Sequence, residues 1–368
     1  MRPIITLWGL LLAAGPPGCG PEGGAAGEPP GRGQALVVTS DYQDGSFALI
    51  DMQALDAWTS PLAFHPDAVC RYDPLTRTPF MISRLGADAI EVLDPEQGWT
   101  VAAEYAVGSG SNPQDIAVVA PDRAYVLRYA DPELLVVHPL TGATQGRVDL
   151  SAYADADGVP EMAYSLVHGG RVYVALQRLV DFEPGDYSSL LVIDGASGTV
   201  EREIRLSTRD PFAPLRYVPA LDAISVPEVG LFGELDGGVE LLAPDAAGPA
   251  GLVVTEAELG GDLVDALVVD ATRGYAVIAV ADGGGQQHTE LVRFDPSSGQ
   301  RRATLLAAAG FDYSFMALSP DRRQLWLTDR TRSAPGVRVF SVADDRQLTA
   351  APIDTGLPPF MICFVPAG

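Results

Sequence analysis

Residues 112–150 read NPQDIAVVAPDRAYVLRYADPELLVVHPLTGATQGRVDL, and this stretch decides the fold. It holds four apolar segments: Ile116–Val119, Ala124–Arg128, a strand ending Val136-Val137-His138, and Gly146–Leu150. Alternation at period two, β-branched residues and Gly, Asp and Pro punctuation make these short strands. The third strand and its turn recur as Leu49-Ile50-Asp51, Val92-Leu93-Asp94-Pro95, Val192-Ile193-Asp194-Gly195, Leu241-Leu242-Ala243-Pro244, Arg293-Phe294-Asp295-Pro296 and Val339-Phe340-Ser341. The turn positions 51, 94, 138, 194, 243, 295 and 341 lie 43, 44, 56, 49, 52 and 46 residues apart. Seven units of that period predict seven blades of four strands.

The first unit lacks an innermost strand, because a Gly/Pro-rich stretch runs directly into Ala35. The chain ends with an unpartnered strand, Phe360–Val365 (FMICFV). A ring of blades needs its seam closed, since an open sheet edge invites other pairings. The expected fold is therefore all-β: a seven-bladed β-propeller of four-stranded antiparallel blades over residues 35–368, its C-terminal strand closing blade one.

Ahead of this domain, Met1-Arg2-Pro3 and an eleven-residue apolar run, Ile4–Ala14, have the form of an export signal and are too short to span a bilayer. Gly18-Cys19 and the tether that follows resemble a bacterial lipoprotein lipobox, although Pro16-Pro17 departs from that pattern. The resemblance implies a signal over 1–18, acylation of Cys19, a tether over 19–34 and attachment to the bacterial envelope by lipid alone. Cleavage near Ala14, giving a soluble secreted protein, is the alternative. Removing residues 1–18 deletes one charge, Arg2, and takes the formal net charge from −24 to −25.

The domain itself resembles the YVTN-type β-propellers. The resemblance rests on Val107-Gly108, Asn112-Pro113-Gln114-Asp115-Ile116-Ala117-Val118, Pro121-Asp122 and Tyr125-Val126. It extends to Asp354-Thr355-Gly356, Pro358-Pro359-Phe360 and Thr39-Ser40-Asp41. It implies a fold, with exported proteins and lactonase-like enzymes among its relatives, and it transfers no catalytic residue.

Composition narrows the chemistry. The 24 basic side chains are all Arg, against 48 acidic ones, so Schiff-base chemistry on a Lys is excluded and the acidity argues against a nucleic-acid partner. Loops that leave the second strand of each blade and loops that enter the first share one face, where propellers usually place ligands. The charged residues there include Arg84, Arg128, Arg178, Asp41 and Asp115. The guanidinium groups suit an anionic ligand; pairing with Asp115, Asp155, Asp157 and Asp181 is the alternative. Asp155, Asp157 and Glu161 resemble part of a calcium loop, or else a polar turn whose carboxylates cap its own amides. Calcium is thus a candidate cofactor and no other is indicated. His65, His138, His168 and His288 are too dispersed for a clustered metal site. Cys70 and Cys363 occupy equivalent positions on the inner strands of blades two and one, as a disulfide beside the closure or as two buried thiols. The expected role is binding or scaffolding in the cell envelope, with an unidentified protein or small molecule as partner. The alternative is a lactonase-like hydrolase using loop carboxylates, with or without calcium.

Overall fold

The computed structural model describes residues 30–181 and 183–367. Seven antiparallel sheets follow one another around a ring, each ordered from its innermost strand outward. In blade one the innermost strand is Pro359–Val365, which pairs with Gln34–Ser40, and Gly45–Asp51 and Ala57–Thr59 lie outside it. The expected closure is therefore present, in a register that sets Leu36 opposite Cys363 and Val37 opposite Ile362. The innermost strands of blades two to seven are Ala68–Asp73, Pro113–Ala120, Met162–His168, Arg216–Val218, Asp262–Asp270 and Tyr313–Leu318. Blade seven has three regular strands, and its outermost position is reduced to two isolated bridges, Val337–Ile353 and Phe340–Gln347. Pro352 beside the first of these bridges has no N–H to give a ladder.

Period-two patterning turns alternate side chains of each strand toward opposite neighbours, so the core divides into seven apolar clusters, one between each pair of adjoining blades. An Arg-x-Tyr pattern at the start of the second strand straps blades together. The hydroxyls of Tyr125, Tyr173 and Tyr275 reach the next blade's outer turn, donating to Gly195 O at 3.0 Å, Pro244 O at 2.8 Å and Asp345 Oδ1 at 2.6 Å. Arg123 and Arg273 donate in turn to Tyr125 and Tyr275.

Blade two docks on blade three through Tyr105, which donates to Pro139 O at 2.8 Å. Gly142, which closes that turn, has φ +69°, and a Cβ there would sit 2.2 Å from Tyr105 Cγ. Gly142→Ala is expected to cost about 2–3 kcal/mol from left-handed strain and overpacking, read as a lower urea midpoint with an unchanged slope.

The chain joins the ring on the face opposite the candidate ligand loops. There Trp99 Nε1 donates to Pro30 O at 2.7 Å, Arg32 pairs with Glu96 at 2.7 Å, and Gly33 N donates to Val365 O at 2.9 Å. Cys70 and Cys363 are disulfide-bonded with their Cα atoms 6.1 Å apart, which links the closing strand to blade two across 293 residues. The expected signal over 1–18 and Cys19 lie outside the described residues. Among the described residues, no helix is long and apolar enough to cross a membrane.

Candidate functional site

The residues expected to form a charged mouth do lie at the loop face, but each is held by its own surroundings. Arg84, 5% exposed, pairs with Asp67 and donates to Gln114 Oε1 at 2.8 Å. Arg128, also buried, pairs with Asp131 at 2.7 Å and donates to Glu133 O. Arg178 donates to Tyr153 O and stacks 4.1 Å from the centre of the Tyr187 ring. Asp41 caps the amides of Gln43 and Asp44 within its own turn. The pairing partners read from the sequence were mostly different ones, because a loop's nearest carboxylate is set by its turn geometry.

Asp155, Asp157 and Glu161 each cap a local amide: Asp155 accepts from Asp157 N, Asp157 from Val159 N and Glu161 from Leu179 N. Among the described residues, no three His, Cys, Asp or Glu side chains gather as a metal would need.

Asp115 serves the ring itself. Its Oδ2 accepts from Ser165 N at 3.0 Å and Ser165 Oγ at 2.6 Å on the innermost strand of blade four, and Arg71 of blade two lies 3.6 Å away. Asp265 repeats the device between blades five, six and seven. It holds Arg216 through two bonds of 2.7 and 2.9 Å and accepts from Met316 N at 2.8 Å. Both Asp follow a bulge in the innermost strand, which re-aims the side chain at the next blade. The shared pattern, Asp-Ile-Ala-Val at 115–118 and Asp-Ala-Leu-Val at 265–268, was a signal that could have identified Asp265 and its partner Arg216. Asp265→Ala strands a mostly buried guanidinium and an inner-strand amide. A loss of about 3 kcal/mol in urea-unfolding stability is expected.

What remains at the axial mouth is aromatic and cationic on one side and weakly acidic on the other. The Phe360 ring lies between the Arg84 and Arg330 guanidinium groups, 5.6 and 5.7 Å from its centre. Arg330 donates to Ser40 O and Pro359 O, each at 3.0 Å, and burial lowers its pKa. Across the opening, burial pushes Glu161 up to about 8 and Asp210 up to about 7, the latter held by Gln177 at 2.5 Å. Tyr164 stands within the field of Arg84, Arg216, Asp265 and Asp210, and burial pushes its hydroxyl up to about 12. These two acids take up protons near neutrality, a property that burial creates and no local motif announces.

The four His are dispersed, as expected. His168 stacks on Tyr217 at 3.9 Å beside a shallow cavity of about 290 Å³ on the opposite face. His288 contacts Glu290, and His65 its own loop at Asp67.

No family model matches the sequence, and no curated protein is similar to it. Solved structures are similar in fold. The dihydro-heme d1 dehydrogenase NirN superposes with a TM-score of 0.60 at 16% identity, over 92% of this chain and 79% of that one. Hydrazine synthase of Kuenenia stuttgartiensis gives 0.61 at 16% identity, over 83% and 93%. A putative 6-phosphogluconolactonase from Bacteroides uniformis gives 0.60 at 12%, over 90% and 99%. At such identities the likeness is one of fold.

Proposed function

We propose that this protein is an exported, lipid-anchored β-propeller that works by binding, as a recognition or scaffold protein of the cell envelope. The observation that carries the reading is the commitment of Arg84, Arg128, Arg178, Asp41 and Asp115 to their own loops and to neighbouring blades. A catalytic set needs side chains converging on one reacting atom, and these do not converge. The leader supports the address: acylation at Cys19 predicts that the full-length protein partitions with membranes and that Cys19→Ala releases it. Equal membrane recovery of both would refute the anchor and leave the soluble secreted form.

A second reading, a lactonase-like hydrolase, draws on Glu161 and Asp210. Both take up protons near neutral pH, as a general acid or base requires. The fold likeness to putative 6-phosphogluconolactonases makes lactones the first substrates to try. A lactone panel at pH 6–9, with and without calcium, separates the two. The binding reading expects no turnover above buffer, and hydrolysis that disappears in Glu161→Gln or Asp210→Asn would replace it.

A further inference from the structure

We infer that the loop face is a docking surface for a cationic, amphipathic polypeptide. The inference deepens the binding reading and rests on it. Most of the large apolar side chains left exposed stand in these loops, among them Tyr42, Leu85, Val180, Leu231, Leu235 and Phe311. They come from blades one, two, four and five and from the loop between blades six and seven. The opposite face exposes Leu75 and Leu140 in its turns. Tyr42, Leu85 and Leu235 also hold φ of 71°, 34° and 51°. A bulky side chain there costs about 1 kcal/mol where Gly or Asn would not; the Tyr42 ring recovers part of this by lying 4.9 Å from the Arg330 guanidinium, whereas Leu85 and Leu235 stay exposed.

The surroundings of these tips specify the partner. Tyr42 lies between exposed Asp41 and Asp44, Val180 beside exposed Asp181 and Glu183, and Leu235 between exposed Glu234 and Asp236. Asp236 shares its charge with Arg209 at 2.7 Å. Arg84 precedes Leu85 and Arg330 lies over the Tyr42 ring at 4.9 Å, but both guanidinium groups are held by Asp67 and by Pro359 O, and the exposed charges beside the tips are acidic, in a chain whose formal charge is −24. Apolar tips set in a negative field match apolar side chains interleaved with Lys or Arg. A second copy would set acid against acid. An anionic bilayer is disfavoured by the same charge, and the chain joins the ring at the far face, so an anchor at Cys19 would hold these loops toward the compartment.

The test titrates the full chain with a fluorescent Lys/Leu amphipathic peptide of about 18 residues and with its Glu/Leu counterpart. Saturable one-to-one binding of the Lys peptide is expected, weakened about tenfold or more between 50 and 300 mM salt. The triple variant Tyr42→Ser, Leu85→Ser, Leu235→Ser should weaken it at least tenfold, and Leu75→Ser with Leu140→Ser should leave it unchanged. Circular dichroism checks that both variants keep the fold. Equal loss in the two variants, equal binding of the Glu peptide, or self-association through the same residues would overturn the inference. No binding together with no lactone turnover sinks this inference alone, whereas turnover lost in Glu161→Gln sinks the binding reading beneath it.

Discussion

A chain ending at Leu357 is expected not to fold. The deletion removes Pro359–Val365, on which Gln34–Ser40 depends for its inner pairing, and takes the buried Ile362 and Val365 from the clusters on either side of blade one. It also takes Cys363 and the carbonyl that holds Arg330. No local rearrangement replaces these contacts, because this strand packs on the innermost strands of both adjoining blades, Ala68–Asp73 and Tyr313–Leu318. Far-UV circular dichroism and a thermal melt check the outcome: a truncated chain that melts cooperatively near the full-length midpoint would refute ring closure as the source of stability. Reduction of the Cys70–Cys363 bond is the graded version. In the chain-entropy model a cross-link over so long a loop contributes about 5 kcal/mol, so reductant should lower the melting temperature without abolishing the transition. Denatured, unreduced protein should show neither thiol to an alkylating reagent.

The second large effect is a fall in stability as pH rises from about 5 to 9. Burial pushes Glu91 and Asp210 up to about 7 and Glu161 and Glu256 up to about 8, and it also raises Glu228, beside the Glu240 carboxylate. Between the ordinary carboxylate range and these values, the fold keeps protons that the unfolded chain has released. Stability therefore declines with pH across that window and levels off above it. One pKa unit is about 1.4 kcal/mol, so the four groups together give a combined loss on the order of several kcal/mol. Self-repulsion of a chain at −24 acts in the same direction. Below about pH 4 the sign reverses, since Asp295, held down to about 2 by Ser297 and Arg302, must protonate on further acidification. Melting temperature against pH should peak near 5, and Glu161→Gln with Glu256→Gln should flatten the alkaline limb. A profile that rises from pH 5 to 8 would contradict this account.

Repetition made the architecture legible. A period near 48 residues, alternation within each segment and a leftover C-terminal strand placed the seven units and the closure, because blade geometry depends on local patterning that each unit restates. Arg-x-Tyr was equally visible in RAY, RVY and RGY, although the blade it straps to is known only from the fold. The ligand face yielded less. Arg84, Arg128 and Arg178 stand at or just after the ends of the second strands of blades two, three and four, but whether a guanidinium meets a ligand or a neighbour depends on distances of a few ångströms across separate loops.

The sequence alone therefore determined the repeat, the ring and its seam, together with the acidic composition. Only the tertiary structure decided that Asp115 and Asp265 tie blades together, that burial raises the pKa of Glu161 and Asp210, and that apolar tips from several blades share one face. Periodicity is a property of neighbours along the chain. Burial, field and convergence belong to neighbours in space, here brought from blades as much as half a ring apart.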